Sequence, residues 1–334
     1  MRSPSGTLGQ PPVGTPDRAV DNVSSTPASL VLGCATRLPP TLFEPFIRSL
    51  RATGYRGRLG LILGQFDEQE AKVLSELADF AVRVDGDYES LYQPAVRVLQ
   101  AMRSTRRVRR AYPIAFAAVV RTTRRSTAWQ SRQALEFQLE GLQALRYAHY
   151  RDIVMTAQPR PDQIFLTDVR DVFFQRDPFI PLVDGLELYL EDASLTLGAE
   201  RRNRQWIRDL YGAQELAALS HYVVSCSGTV AGRCDEILTY LAAMSEELSR
   251  HRRPLGSHDQ GAHNYLLRRR LLGSATIKEN GHGRVLTMGG MATVHRDADG
   301  TVLNADGTVP AVLHQYDRHP SLATELIATL GLPR

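Results

Sequence analysis

The chain has 334 residues, 43% of them hydrophobic and 23% charged, the balance of an ordinary globular protein that can bury a core without disulfides or a structural metal. Three cysteines, Cys34, Cys226 and Cys234, are too few and too scattered for a disulfide framework or a zinc site, and they fit a reducing cytoplasm. The formal charge of +4 is carried almost wholly by arginine, with Lys72 and Lys278 the only lysines, and no segment approaches the roughly 20 apolar residues that span a bilayer.

Residues 1–28, rich in Ser, Pro, Gly and Thr and without an apolar h-region, read as a disordered tail rather than a signal peptide. The run from Ser29 to Ala35 is a buried-strand candidate, followed by a helix over Thr41–Thr53 that stops at Gly54. Leu59–Leu63 predicts a second strand, Glu68–Leu77 a helix and Phe80–Val84 a third strand. Such an alternation is the signature of a parallel sheet with right-handed crossovers. Residues 86–150 look mostly helical, ending in a helix near Ser131–Tyr150. Within them, Arg103 to Arg125 form the densest basic cluster, read as a solvated helix face, with an anionic lipid or anionic acceptor patch as the functional alternative. No recognition motif accompanies it, so nucleic acid is not expected.

Gln163–Thr167 is a short apolar strand that delivers Asp168 and, three residues on, Asp171. Open α/β sheets place their ligands at the carboxyl ends of their strands, and paired carboxylates there suit Mg²⁺ or Mn²⁺. The alternative is a turn capped by Asp168 with Asp171 merely solvated. Further strands are predicted at Leu186–Leu190, Tyr222–Ala231 and Pro310–His314, and helices at Asp235–Arg250 and Gln260–Arg270. Nothing splits the chain, so residues 29–334 are expected to form one α/β domain.

The segment LTDVRDVFFQRDPF resembles the metal-binding stretch of nucleotide-sugar glycosyltransferases with the GT-A fold, whose acidic DxD pair follows a buried strand. The resemblance runs as ordered landmarks over about residues 29–320. It implies a single domain with a mixed, mainly parallel sheet flanked by helices. It also implies a hexosyltransferase-like enzyme that passes a sugar from a nucleotide-diphosphate donor to a hydroxyl of a glycan, a lipid-linked saccharide or a small molecule. The acids here are spaced D-x-x-D, with Arg170 between them, which leaves open which carboxylate meets the metal directly. His314, after a late strand, resembles the third metal ligand of such families, and Arg318 then falls near the diphosphate. Asp259 and Gln260 resemble the DQ segment beside the transferred sugar, although Ser257 with Gln260 also reads as a capping box. Ser227 and Gly228 resemble the small-residue segment that shapes the sugar pocket. Ala35 and Thr36 stand where the base lodges, and Arg146 within reach of the diphosphate, with a solvated helix end as its alternative.

Asp259 or Asp192 would serve as base if the anomeric configuration inverts. The rivals are a nucleotidyltransferase, a metal phosphohydrolase with Asp168 as nucleophile and Lys278 downstream, and a non-enzymatic basic binding protein. The expected location is cytoplasmic, with peripheral contact to the inner membrane face.

Overall fold

The computed structural model describes residues 27–36, 39–64, 66, 68–84, isolated positions between 98 and 118, 142–251 and 258–332. The basic cluster at Arg103–Arg125, the first half of the helix expected over 131–150 and Ser257 lie outside the described residues, as does nearly all of the expected tail. Pro27 and Ala28 are described, and Ala28 already exchanges hydrogen bonds with Asp162.

β1 (Ser29–Thr36), β2 (Arg58–Gly64) and β3 (Phe80–Arg83) run parallel, linked by α1 (Pro40–Ala52) and α2 (Glu68–Leu77). After α3 (Leu142–Thr156), β4 (Gln163–Asp168) pairs parallel with the other side of β1. β5 (Val172–Phe174) leaves this sheet, and β6 (Leu186–Leu190) returns to it. β7 (Ser225–Arg233) lies between β4 and β6, antiparallel to both. With β8 (Thr276–Lys278) parallel to β6, the seven-stranded order is β3-β2-β1-β4-β7-β6-β8. This is a mixed, mainly parallel α/β sheet, as expected from the strand–helix alternation.

Period-two alternation along β1 explains the two layers. Val31 and Ala35 face a core shared with Phe43, Phe46 and Leu50 of α1. Leu30 and Leu32 face the opposite core, with Tyr147 and Tyr150 of α3 and Ile237 and Leu241 of α5 (Cys234–His251). α6 (Asp259–Arg268) packs on that same face, and its Ala262 and Leu266 join the cluster.

The sequence reading passed over several elements. α4 (Arg201–Leu219) is polar over much of its length and kinks at Gly212, whose φ of 88° requires a residue without Cβ. β5, β9 (Val285–Thr287) and β12 (Val312–His314) form a three-stranded sheet, with β12 parallel to β9 and antiparallel to β5. β10 (His295–Arg296) pairs with β11 (Val302–Leu303), and α7 (Pro320–Thr329) closes the small C-terminal core. β12 falls within the strand expected at Pro310–His314; the other strands here, two or three residues long, are too short for a periodic signal. Among the described residues, no helix is long and apolar enough to cross a membrane.

Candidate metal site

Strand direction brings the chemistry to one edge. β1, β2 and β4 are parallel, so Thr36, Gly64 and Asp168 end on the same side. The antiparallel β7 starts where β4 finishes, which sets Ser227 and Gly228 beside Asp168. β6 runs with β4 and delivers Glu191 just past its own end.

Asp168, Asp171 and His314 converge: each offers one ligand atom, and these atoms lie within 4.8 Å of one another. The register of the small sheet causes this. Asp171 directly precedes β5, and His314 pairs with Val172 across the β5–β12 ladder. The backbone N–H of Gln315 then donates to the carbonyl of Asp171 at 2.6 Å. Gln315 adopts a left-handed φ of 57°, a conformation a residue with a Cβ takes at a cost of about 1 kcal/mol or more. The strand end is thus held against the acidic turn at some expense of backbone strain.

The residues suit a divalent cation. His314 is buried, and its Nε2 has no hydrogen-bond partner among the described residues, although it lies 4.0 Å from Asp171 Oδ1. Its Nδ1 meets Thr287 Oγ1 at 3.3 Å. A proton on Nδ1 donated to Thr287 leaves the Nε2 lone pair facing the carboxylates, the usual orientation of a metal-ligating imidazole. Burial raises the pKa of Asp171, opposed by His314 and reinforced by Asp168. Gly228 supplies the clearance: a Cβ there would fall 2.4 Å from Asp168 Oδ2 and 3.2 Å from His314 Nε2. Asp168 keeps 38% of its side chain exposed against 9% for Asp171, so the cluster opens outward past Asp168.

Arg146 is not a solvated helix end. It is 6% exposed and stands between two acids. One guanidinium nitrogen donates to Asp168 Oδ1. The other donates to Asp259 Oδ2 at 2.7 Å, with longer contacts to Tyr147 Oη and the Ser227 carbonyl. Burial alone disfavours its charge, and Tyr147, Asp168 and Asp259 together outweigh that penalty. Tyr147 Oη also donates to Asp259 Oδ2 at 3.0 Å, and Ser227 Oγ lies 3.4 Å from the same oxygen. These contacts converge on one oxygen of the Asp259 carboxylate.

The capping-box expectation needs correction. The cap of α6 is His258, without a side-chain cap bond, and the Gln260 side chain points elsewhere. Its Nε2 donates to Glu191 Oε1 at 3.1 Å and Asn203 Oδ1 at 3.3 Å, while its Oε1 accepts from the N–H of Ser227 at 3.4 Å. Asp192 Oδ1 accepts from both the N–H and the hydroxyl of Ser194, closing its own turn.

The remaining expected residues lie at the rim. Arg170 is 43% exposed and contacts Asp171 and Asp317, each at 3.4 Å. Arg318, in a short 3₁₀ turn after β12, contacts Asp317. Ala35 is buried next to the end of β1, and the backbone of Thr36 ends that strand. Cys34, level with Asp168 in the ladder, is half-buried, and desolvation pushes its thiol up to about 12, which disfavours the reactive thiolate. Lys278 faces Glu187 at 3.9 Å on the far edge strand β8.

The sequence reading singled out neither Glu191 nor His263, whereas Asn264 is the asparagine of the segment that resembles a DQ…N motif. Glu191 is buried, with its pKa raised by desolvation. Asn264 clamps Ser225, accepting from its N–H and donating to its carbonyl. His263 bridges Tyr240 Oη and Ser225 Oγ at 3.0 and 2.9 Å. Glu191 follows the apolar strand LELYL directly, and that position was the available hint.

No protein-family model matches the chain, and no curated protein matches it in sequence. Among solved structures, it is similar to the galactosyltransferase LgtC in complex with donor and acceptor sugar analogues, at 13% identity, over 91% of this chain and 97% of that one, with a TM-score of 0.44. It is also similar to core-mannan synthase A from Aspergillus fumigatus in its Mn/GDP form, at 15% identity, over 79% of this chain and 74% of that one, with a TM-score of 0.33. At such distances the likeness assigns no activity.

Proposed function

We propose that this chain is a metal-dependent glycosyltransferase of the GT-A type, acting on a nucleotide-diphosphate sugar. The convergence of Asp168, Asp171 and His314 at the carboxyl edge of a mainly parallel sheet carries the reading. Asp168, Asp171 and His314 would hold Mn²⁺ or Mg²⁺, with Asp168 nearest the opening. When bound, such an ion neutralises charge that grows on a departing diphosphate.

The chain's own groups supply the rest. Arg146 fixes Asp168 relative to Asp259, so the ion-binding acid and the sugar-facing acid keep one geometry. Ser227 and Gly228 let the donor approach the β7 backbone. Asp259 presents its carboxylate toward sugar hydroxyls, and Gln260, tied to Glu191, Asn203 and the Ser227 N–H, holds β7 and α6 together beside it. One oxygen of each expected base is already engaged, Asp259 Oδ2 by Arg146 and Tyr147 and Asp192 Oδ1 by Ser194. Inversion would use the remaining oxygen of one of these acids as base, whereas a hydroxyl acceptor captured on the face of the departing diphosphate, with retention, needs no such base.

Calorimetric titration of UDP, GDP and dTDP with and without Mn²⁺ tests the reading. At least one should bind only with metal. If none does, and a simple phosphomonoester is hydrolysed briskly instead, the chain is a phosphohydrolase.

A further inference from the structure

Each acid of the cluster is shared with an arginine. Asp168 gives Oδ1 to Arg146, and Asp171 gives Oδ2 to Arg170 at 3.4 Å. The opposite oxygens face inward. Asp168 Oδ2 and His314 Nε2 lie 2.4 and 3.2 Å from the point where a Cβ on Gly228 would stand, and Asp171 Oδ1 is 4.0 Å from that nitrogen. The cluster therefore offers one oxygen from each acid, with a guanidinium behind each.

The two arginines differ. Arg146 is locked, with its side chain 7% exposed and paired with Asp259 as well. Arg170 is 43% exposed and loosely held. Its Nη2 serves both Asp171 and Asp317 at 3.4 Å, whereas Arg48 and Arg51 close on their acids at 2.6 and 2.7 Å. No other donor of its guanidinium has a partner among the described residues. The β5–β12 register accounts for this placement. His314 pairs with Val172, the Gln315 N–H closes on the Asp171 carbonyl, and the 3₁₀ turn Tyr316–Arg318 then sets Asp317 across from Arg170.

A cation and a guanidinium on one carboxylate repel each other. Once Asp171 is shared with a divalent ion, its pull on Arg170 is largely cancelled, and only the contact with Asp317 still holds the half-exposed side chain. A diphosphate at the same place offers oxygens that suit a planar guanidinium fork.

We infer that Arg170 is an exchangeable counter-charge, balancing Asp171 in the metal-free protein and passing to the donor diphosphate when metal and donor bind, with Asp317 as the tether that keeps it at the rim. The inference rests on the transferase reading and gives the arginine inside the D-x-x-D pair a part in donor binding.

Calorimetric titration of Mn²⁺, and then of UDP, GDP and dTDP into Mn²⁺-saturated protein, compares wild type with Arg170→Gln and Arg170→Lys. In Arg170→Gln the two affinities should move in opposite directions, with the circular dichroism spectrum unchanged. Mn²⁺ should bind about threefold more tightly, the scale of a half-exposed charge contact. The nucleoside diphosphate should bind about tenfold more weakly, the scale of a lost charge-assisted hydrogen bond. Arg170→Lys should return Mn²⁺ affinity close to the wild-type value, because it keeps the charge, and restore diphosphate binding only in part, because it lacks the fork. Weaker binding of both ligands in Arg170→Gln would make Arg170 a prop for the cluster, and unchanged affinities would make it a bystander; either result overturns the exchange. Mn²⁺ binding by the wild-type protein with no nucleoside diphosphate bound would instead overturn the transferase reading, and no Mn²⁺ binding at all would overturn the metal site beneath both.

Discussion

The guanidinium of Arg146 donates to the carboxylate of Asp259 at 2.7 Å across 113 residues of chain. Each side chain is 7% exposed, so neither charge has water to fall back on. Removing one partner of a buried pair leaves the other uncompensated and typically costs about 3–5 kcal/mol. Arg146→Met should destabilise the fold on that scale in urea unfolding, and Arg146→Met combined with Asp259→Asn should cost less than the two single changes summed. Strict additivity would mean that the pair is not coupled.

His314→Ala and Asp171→Asn should each abolish the Mn²⁺-dependent part of nucleoside diphosphate binding. Thr287→Val probes the support behind the imidazole. Partners that orient a metal-ligating histidine are worth roughly 10–100-fold in metal affinity, and a loss in that range is expected by Mn²⁺ titration, with thermal unfolding of the metal-free protein little changed. Wild-type affinity would detach Thr287 from the site.

Gly228→Ala is a steric test. The added methyl would meet Asp168 Oδ2 at 2.4 Å and must displace the acid, because real Cβ atoms do not approach so closely. Metal-dependent nucleotide binding should fall at least tenfold while the circular dichroism spectrum is retained. Unaltered binding would show that Asp168 does not need its present position.

The stability profile with pH should carry a signature of His263. Burial lowers its pKa from 6.5 to about 3, so the folded state keeps it neutral between Tyr240 and Ser225. The unfolded chain takes up the proton near its ordinary value, and the folded chain does not. This contribution is therefore fully present above about pH 6.5 and is lost as pH falls, by up to about 1.4 kcal/mol per pH unit. Comparing wild type with His263→Gln by urea unfolding at pH 8 and pH 5 isolates it. The difference between the two proteins should shrink at the lower pH; a constant difference would contradict a neutral buried imidazole.

The sequence by itself determined the alternation of the first three strands with their helices, because apolar periodicity is a local property. It also marked Asp168 and Asp171, since β4 is an unbroken apolar run that ends at an acid. Burial of Arg146 was not legible, because nothing along α3 announces that Asp168 and Asp259 will close around it. The strand carrying His314 was legible, but β5 and β9 are too short for a periodic signal, and only their pairing with β12 carries His314 to the acidic turn. Which carboxylates are engaged by hydroxyls or arginine depends on distances between segments far apart in the chain. Tertiary packing decided this, because hydrogen bonds and charge pairs form across space and leave no local pattern in the residues that make them.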